Sequence, residues 1–314
     1  MSRQIALLSD PHWMLRSPVG RTDDILVALK RKWTALLDWC AAKQAPLLIA
    51  GDFTHGPRSW YLLPELLRFL SEWDVRIYVI FGQHDTYMYS EATRSATVLG
   101  ALIAAGVVEP LGVWGTELYE DVKVFGCNYG ETVDELEEVR VTSAEINILV
   151  VHQMIVPNKV WSTQEEYIYA PEFLNKNPQF DLILCGDCHR KFKFNSVDRK
   201  KRIICNTGPL ARYEADAYNF KHEPGFFVYD TDERKAVWHT LPHGKAENVL
   251  SRSHLDKEEI RSAQLDEFIH AVRSGKVRKG AKFIDNLRAL IAKENARDVR
   301  EVKQILAETI DEEL

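Results

Sequence analysis

Six short apolar runs in this sequence end in polar residues, and most of those residues could hold a metal ion. IALLSD (5–10) leads into Pro11 and His12, and LLIAGD (47–52) closes on Asp52. RIYVIFGQHD (76–85) ends in Gln83, His84 and Asp85, and INILVVH (146–152) ends on His152. DLILCGDCH (181–189) carries Asp187 and His189, and RIICNTG (202–208) ends in Asn206, Thr207 and Gly208. A carboxylate and an imidazole at i and i+2, as in Asp10–His12 and Asp187–His189, can both turn toward one point as a chain leaves a strand. Carboxylate bridging combined with imidazole ligation suits a pair of borderline-to-hard divalent ions such as Mn, Fe or Zn. Two such ions roughly 3.5–4 Å apart can clamp a phosphoester, activate a water and steady the leaving oxygen. A single histidine of this kind is more often an ordinary core or surface residue. The same habit at successive strand ends points to a dinuclear site.

The apolar runs are rich in β-branched and aliphatic residues and do not alternate with polar ones, which is the pattern of strands buried on both faces. Between them, residues 22–43 (with Thr22 and Asp23 as cap candidates), 60–73 and 91–105 have helical spacing. Shorter strand-like runs lie at 122–127, 225–230 and 235–241. Strand and helix in alternation predict an α/β layered fold whose ligands collect beyond the carboxyl ends of the strands. From about residue 250 no strand-like run remains, and apolar residues such as Leu265, Phe268, Ile269 and Val272 fall at helical spacing. The expected organisation is a domain over 1–241, a linker over 242–254 and a helical tail over 255–314.

With 314 residues, 46% of them hydrophobic and 27% charged, the chain is too large and too apolar to be disordered or low-complexity. No apolar run reaches the ~18 residues of a membrane span, and the first residues lack a secretory apolar core. Five cysteines without framework spacing fit reduced thiols in a cytosol. CGDC (185–188) is a lone CxxC, a weak metal or redox signal; Cys185 is expected to pack within the strand. A formal charge of −6 argues mildly against a phosphate-rich partner. Its distribution argues the other way. RKFKFNSVDRKKR (190–202) holds seven basic residues and one acid, and RSGKVRKGAK (273–282) adds five bases and no acid. Such stripes can hold a phosphate backbone without reading sequence, although a solvated face is the commoner fate of a charge run. ETVDELEE (131–138) gathers five acids and is expected to be a surface loop turned away from DNA.

The segments SDPH (9–12), AGD (50–52), GQHD (82–85), VVHQ (150–153) and GDCH (186–189) occur in the order of the D-x-H, G-D, G-N-H-D, H and G-H-x-H motifs. In this the chain resembles the calcineurin-like metallophosphoesterases. The resemblance covers roughly residues 3–241 and implies a four-layer αββα sandwich followed by a C-terminal helical extension. It implies Asp10, His12, Asp52 and His189 as ligands of one metal, and Asp52 (bridging), Gln83, His152 and Asp187 as ligands of a second. His84 matches the family histidine that contacts the scissile phosphate or protonates the leaving group, with Asp85 orienting it through a hydrogen bond. Gln83 stands where Asn is usual and Asp187 where His is usual. Both replacements still offer oxygen.

GDFTHGPRSW (51–60) places His55 three residues after Asp52, and NTGPLAR (206–212) follows the last D-x-H motif. Together with VVHQ, these segments are similar to those of SbcD-type DNA double-strand-break nucleases, and the combination of GQHD (82–85) with GDCH (186–189) most resembles phage-derived members. His55 would then assist exonuclease action; its plainer role is a loop histidine capping the next helix, as an ordinary tight turn is for Asn206, Thr207 and Gly208. That resemblance implies 3′-to-5′ exonuclease action on duplex ends and endonuclease action on single strands. It also implies an SbcC-like ATPase partner docking on the helical tail, a homodimer formed through the helices of 60–73 and 91–105, and a bacterial cytoplasmic, phage-encoded setting. DNA contacts are expected from Arg190, Lys191, Lys193, Lys200, Lys201 and Arg212. A stand-alone hydrolase of small phosphodiesters or pyrophosphates would share every metal ligand, and a non-catalytic scaffold is a third reading. No mixed α/β capping domain is apparent after residue 241.

The expected cofactors are two divalent ions, Mn2+ above all, with Mg2+ or Fe2+ as alternatives. Asp187 in place of an imidazole hardens the second position and should favour Mn2+ or Mg2+ over Zn2+. Titrating metal-stripped protein should therefore restore hydrolysis with Mn2+ and not with Zn2+; activation by zinc alone would overturn this assignment.

Overall fold

The computed structural model describes residues 3–133, 146–159, 167–197 and 201–253. The expected helical tail, the stripe 273–282, Lys200 and most of the acidic segment 131–138 lie outside these residues. Residues 1–252 form one compact unit.

In chain order the elements are β1 (Gln4–Leu8), α1 (Ile25–Lys43), β2 (Leu47–Ile49), α2 (Leu63–Leu70), β3 (Ile77–Val79), α3 (Val98–Ala104) and β4 (Glu109–Pro110). They continue with β5 (Thr116–Tyr119), β6 (Val122–Cys127), β7 (Ile146–Gln153), β8 (Ile155–Val156), β9 (Ile168–Tyr169) and α4 (Ala170–Lys176). The last are β10 (Leu182–Asp187), β11 (Phe192–Asn195), β12 (Ile203–Asn206), β13 (Gly225–Asp230), β14 (Lys235–Thr240) and α5 (Ala246–Val249). Two six-stranded sheets result, in the orders β14-β13-β1-β2-β3-β4 and β11-β12-β10-β7-β6-β5. Strands β1 to β4 pair in parallel, as do β6, β7, β10 and β12.

The absence of polar alternation in the strands has a direct counterpart in the layers. Ile5 and Leu7 of β1 point between the sheets, where they meet Ile148, Val150, Leu182 and Leu184 of the second sheet. Ala6 and Leu8 point the other way, into a cluster with Trp33, Leu36 and Leu37 of α1. In the second sheet, Leu149 and Val151 of β7 and Ile183 of β10 face away from the inter-sheet layer, beside Phe173 and Leu174 of α4. The layers are helix, sheet, sheet, helix: the αββα sandwich. Burial on both faces is what demands apolar residues at consecutive positions.

Helix α1 begins where Asp24, rather than Thr22 or Asp23, accepts hydrogen bonds from Leu26 N and Val27 N. The helix expected over 60–73 starts as a 3₁₀ turn at Trp60–Leu62 and becomes α-helical beside Pro64. The one expected over 91–105 divides in two, because Thr97 leaves helical backbone angles and caps Gly100 N. Helix α4 spans seven residues, too few for a sequence period to show. Phe192–Asn195 forms an antiparallel hairpin with β12, and Cys185, as expected, is buried in β10.

Ile148 is fully buried between the sheets. Ile148→Ala should lower unfolding free energy by about 2–5 kcal/mol, as transfer and cavity terms add. Denaturant titration would show this as a reduced midpoint with an unchanged slope.

Candidate metal centre

Parallel pairing brings the chemistry-bearing residues to one edge. Leu7 is level with Leu48, and Leu48 with Tyr78, so the segments carrying Asp10, Asp52 and Gln83–His84 leave the first sheet side by side. In the second sheet Gly186 is level with His152, and Asp187 with Gln153. Hydrogen bonds join the two edges: Asp187 N donates to Asp10 Oδ1 (2.9 Å), and His152 Nδ1 lies 2.7 Å from Ala50 O. The chain turns sharply to present these groups. Asp10, His12, Asp52 and Asp187 all have positive φ (49°, 45°, 50° and 74°). Non-glycine residues rarely adopt that region, and each such residue costs about 1–3 kcal/mol, held by the structure around it. Two glycines make room for one ring. A Cβ at Gly51 would lie 2.3 Å from His152 Nδ1, and one at Gly186 would lie 2.0 Å from Ala50 O and 2.6 Å from His152 Nδ1.

Asp10, His12, Asp52 and His189 place one potential ligand atom each within 4.8 Å of all the others. His12 Nε2 lies 3.1 Å from His189 Nε2 and 3.4 Å from Asp52 Oδ2, while His189 Nε2 lies 3.9 Å from Asp10 Oδ1. Three of the four are essentially inaccessible to water. The residues fit a divalent cation on two observations. Asp10 Oδ2 and Asp52 Oδ2 are buried oxygens without a hydrogen-bond partner, a costly state for an acceptor. In addition, the protein groups alone hold one another in the wrong protonation states. Burial pushes the Asp10 carboxyl up to about 8 and that of Asp52 well above the usual range. Burial also lowers His189 to about 4 and, with the neighbouring imidazoles, holds His12 well below its ordinary value. Carboxylates denied a counter-charge and imidazoles denied a proton are both satisfied by a metal ion, which needs ionised carboxylates and neutral rings.

Beside this cluster, Gln83 Oε1 lies 2.5 Å from His152 Nε2, and Gln83 Nε2 donates to Asp187 Oδ1 (2.7 Å). If the proton sits on His152 Nδ1, directed at Ala50 O, an Nε2 lone pair would face the lone pairs of Gln83 Oε1. Rotating the amide would only move the conflict to Asp187. A shared cation removes it. His152 Nε2 is also 3.7 Å from Asp52 Oδ1, so Asp52 stands between the two groups of residues, where a bridging carboxylate would. All seven expected ligands are thus brought together.

His84 sits at the mouth, its side chain 40% exposed and its Nε2 4.0 Å from Asp52 Oδ2. His55 stacks on it at 5.3 Å with an interplanar angle of 11°, and approaches His12 Nδ1 to 3.4 Å. The expected hydrogen bond between the His84 ring and the Asp85 carboxylate is not formed. The carboxylate of Asp85 instead accepts from Phe53 N, Thr54 N, Thr54 Oγ1 and Gly82 N. The short 3₁₀ turn Gln83–Asp85 buries Asp85 under the loop after β2 and leaves its neighbour facing out. Asp85 positions the loop that carries Asp52, not the histidine.

The expected DNA contacts divide. Lys191, Lys193 and Lys201 are exposed. Lys191 Nζ lies over the Trp238 ring, and Lys193 Nζ donates to Ala236 O. Arg190 pairs with Asp216 (3.0 Å) and lies over Tyr218. Arg212 is corrected: it is 4% exposed and donates to His222 O and Gly244 O, so it offers no surface to a duplex.

Sequence reading missed Tyr213, whose ring lies 5.2 Å from that of His12 and whose hydroxyl donates to Pro11 O. Its only signal was its place directly after NTGPLAR. Behind it, His222 accepts at Nδ1 from the Tyr218 hydroxyl (3.2 Å) and donates at Nε2 to Pro209 O (2.8 Å).

Two facing sheets with carboxylates and imidazoles converging at their shared edge define a metal-dependent hydrolase of phosphoester bonds. Residues 3–191 match the family model of the calcineurin-like phosphoesterases, and the chain belongs to that family. Family membership and the cluster of aspartates and histidines together point to two divalent ions. Among solved structures the chain is similar to a dimetal phosphatase from Danio rerio, with 10% identity and a TM-score of 0.49 over 77% of this chain and 99% of that one. It is also similar to a protein of Thermus thermophilus, with 15% identity and a TM-score of 0.48 over 77% of this chain and 100% of that one. A metallophosphoesterase from Sphaerobacter thermophilus shows 14% identity and a TM-score of 0.37 over 78% and 91%. No curated protein matches the chain. Among the described residues no helix is long and apolar enough to cross a membrane.

Gly186→Ala should displace His152 and reduce both metal content, read by elemental analysis, and activity, by about a hundredfold; wild-type metal content in this variant would refute the packing argument. Burial holds His222 near 4, so it is neutral in the fold and protonates more readily in the unfolded chain. Its contribution is present above the unfolded value and is lost as pH falls from about 6.5 toward 4. Thermal melts should show that part of the acid destabilisation diminished in His222→Gln.

Proposed function

We propose that this phosphoesterase is a DNA nuclease, the catalytic subunit of an SbcCD-like complex acting in repair or recombination. The observation that carries the reading is the form of the mouth. A groove of about 630 Å³ runs from His55 and His84 past Arg58, Tyr87 and Tyr89, room enough for a strand to cross the metal centre. Aromatic side chains with an arginine beside them suit a polynucleotide strand, since bases stack on them without regard to sequence.

In this reading Asp10, His12, Asp52 and His189 hold one divalent ion, and Asp52, Gln83, His152 and Asp187 the other. When bound, such ions supply Lewis acidity at the phosphoester and a more acidic water. The chain's own groups do the rest. The ligands, locked by backbone turns and mutual hydrogen bonds, fix the reacting geometry before substrate arrives. His84, half exposed above Asp52, contacts the phosphoryl group or supplies a proton to the leaving 3′ oxygen. His55 holds the His84 ring by stacking and faces the strand in exonuclease action. Exposed Lys191, Lys193 and Lys201 take the phosphate backbone. Mn2+ is the proposed metal, an SbcC-like ATPase the proposed partner of the C-terminal residues, and a homodimer the proposed assembly.

One observation favours a second reading, hydrolysis of small phosphodiesters. Beside His189 and Asp187, a cavity of about 260 Å³ reaches Arg190 and Tyr213, and the Arg190 charge there is already paired with Asp216. Linear duplex DNA, circular single-stranded DNA and small diesters offered with Mn2+ separate the two. DNA should be degraded, EDTA should stop the reaction reversibly, and His84→Ala should lower kcat by about 10²–10⁴-fold. Intact DNA beside cleaved small diesters would establish the second reading instead, and no cleavage of either would indicate a scaffold.

A further inference from the structure

We propose that a cavity at the start of α1, lined by none of the metal-ligand candidates, binds a phosphate-type oxyanion between Lys32 and Arg212. The cavity holds about 300 Å³. That is the lower end of the ~300–1,000 Å³ typical of small-molecule sites and suits a small phosphorylated compound.

Three cations around this cavity are more than nine-tenths buried: Lys32 is 3% exposed, Arg212 4%, and the Arg21 side chain 3%. Buried charges ordinarily occur in pairs. Arg21 obeys the rule. Its Nε and Nη2 donate to Asp23 Oδ1 (2.8 Å) and Oδ2 (2.6 Å), and its Nη1 donates to Arg212 O. Lys32 and Arg212 do not obey it. Lys32 Nζ donates to Ala28 O alone (3.1 Å), leaving further protons unused. Arg212 donates from Nε to His222 O and from Nη1 to Gly244 O, both at 2.8 Å, leaving Nη2 without a protein partner. Neither meets a carboxylate in an ion pair among the described residues. The other acid of the lining, Asp24, is engaged by Leu26 N and Val27 N at the start of α1. Glu223 and Glu247 attract Arg212 only through space. Burial, reinforced by the arginines nearby and only partly offset by Asp23, lowers Lys32 to about 8, as expected of an ammonium with no ion-pair partner of its own.

Two uncompensated buried cations call for a dianion. A phosphate group carries about −1.5 to −2 at neutral pH and offers several strong acceptors, whereas one carboxylate would neutralise only half of the charge. Exposed Arg31 also lines the cavity and would guide an anion inward. The site is joined to the metal centre by adjacency, since the residue after Arg212 is Tyr213, which packs on His12.

The probe is inorganic phosphate, measured by equilibrium dialysis against the full-length protein with Mn2+ and with EDTA, folding being checked by circular dichroism. EDTA removes any phosphate held at the metal centre. One saturable site should survive it, weakened about tenfold or more in Lys32→Met and in the surface variant Arg31→Glu, and not displaced by acetate. If the stripped protein fails to fold, the same loss of one site is read in the Mn2+-loaded protein. Phosphate should raise the melting temperature of the wild type and not that of Lys32→Met. Anion-free Lys32→Met should melt no lower than wild type, since it loses a buried unpaired charge. Absence of a site outside the metal centre, wild-type affinity in both variants, or equal competition by acetate would each overturn the proposal.

Discussion

The burial of Asp10 and Asp52 is the constraint around which the molecule is arranged. Removing two carboxylates from water, each with an oxygen that no protein donor reaches, is tolerable only when positive charge is brought to them. The imidazoles beside them cannot bring it as protons, because the same burial drives His12 and His189 to their neutral forms. A divalent ion answers both requirements, and its ligands must then come from chain segments far apart in sequence. Two parallel arrangements of strands, facing each other with their carboxyl ends on one edge, are a means of delivering them.

That delivery demands accuracy at the strand ends, and the backbone shows it. Four candidate ligand residues sit at positive φ, and glycines precede Asp52 and Asp187 where the His152 ring leaves no space for a Cβ. Asp85 serves the same end by collecting four hydrogen bonds from the loop that carries Asp52 and from its own turn. An acid beside a histidine invites the assumption that it orients that ring. Here unsatisfied backbone donors close by claim the carboxylate first, and His84 is steadied by stacking with His55 instead.

Charge away from the metal centre follows a different logic. Much of the basic surface near His189 is already engaged: Arg190 by Asp216 and Tyr218, and Lys193 by a main-chain carbonyl. Lys32 and Arg212 are buried without an ion-pair partner among the described residues, while the acids lining their cavity serve Arg21 and the first turn of α1. Neither net charge nor the density of a basic run distinguishes these situations, because they depend on which side chains meet across the fold.

Much of the framework was legible in the primary structure. Uninterrupted apolar runs marked strands buried on two faces, and the polar residues ending those runs include the seven candidate ligands that lie close together, because the chemistry of a metal site restricts residue type as well as position. The helices were legible where they spanned several turns and less so where Pro64 or Thr97 interrupted the period. Other features were decided only in three dimensions. The partner of Asp85, the burial of Arg212, the packing of Tyr213 against His12 and the placing of Lys32 and Arg212 around one cavity all join residues whose separation in sequence carries no periodic signal. Local pattern records what a residue must be to lie in a strand or bind a metal. Which donor reaches a given carboxylate first, and which cation is left without one, is settled when the two sheets and their loops close on each other.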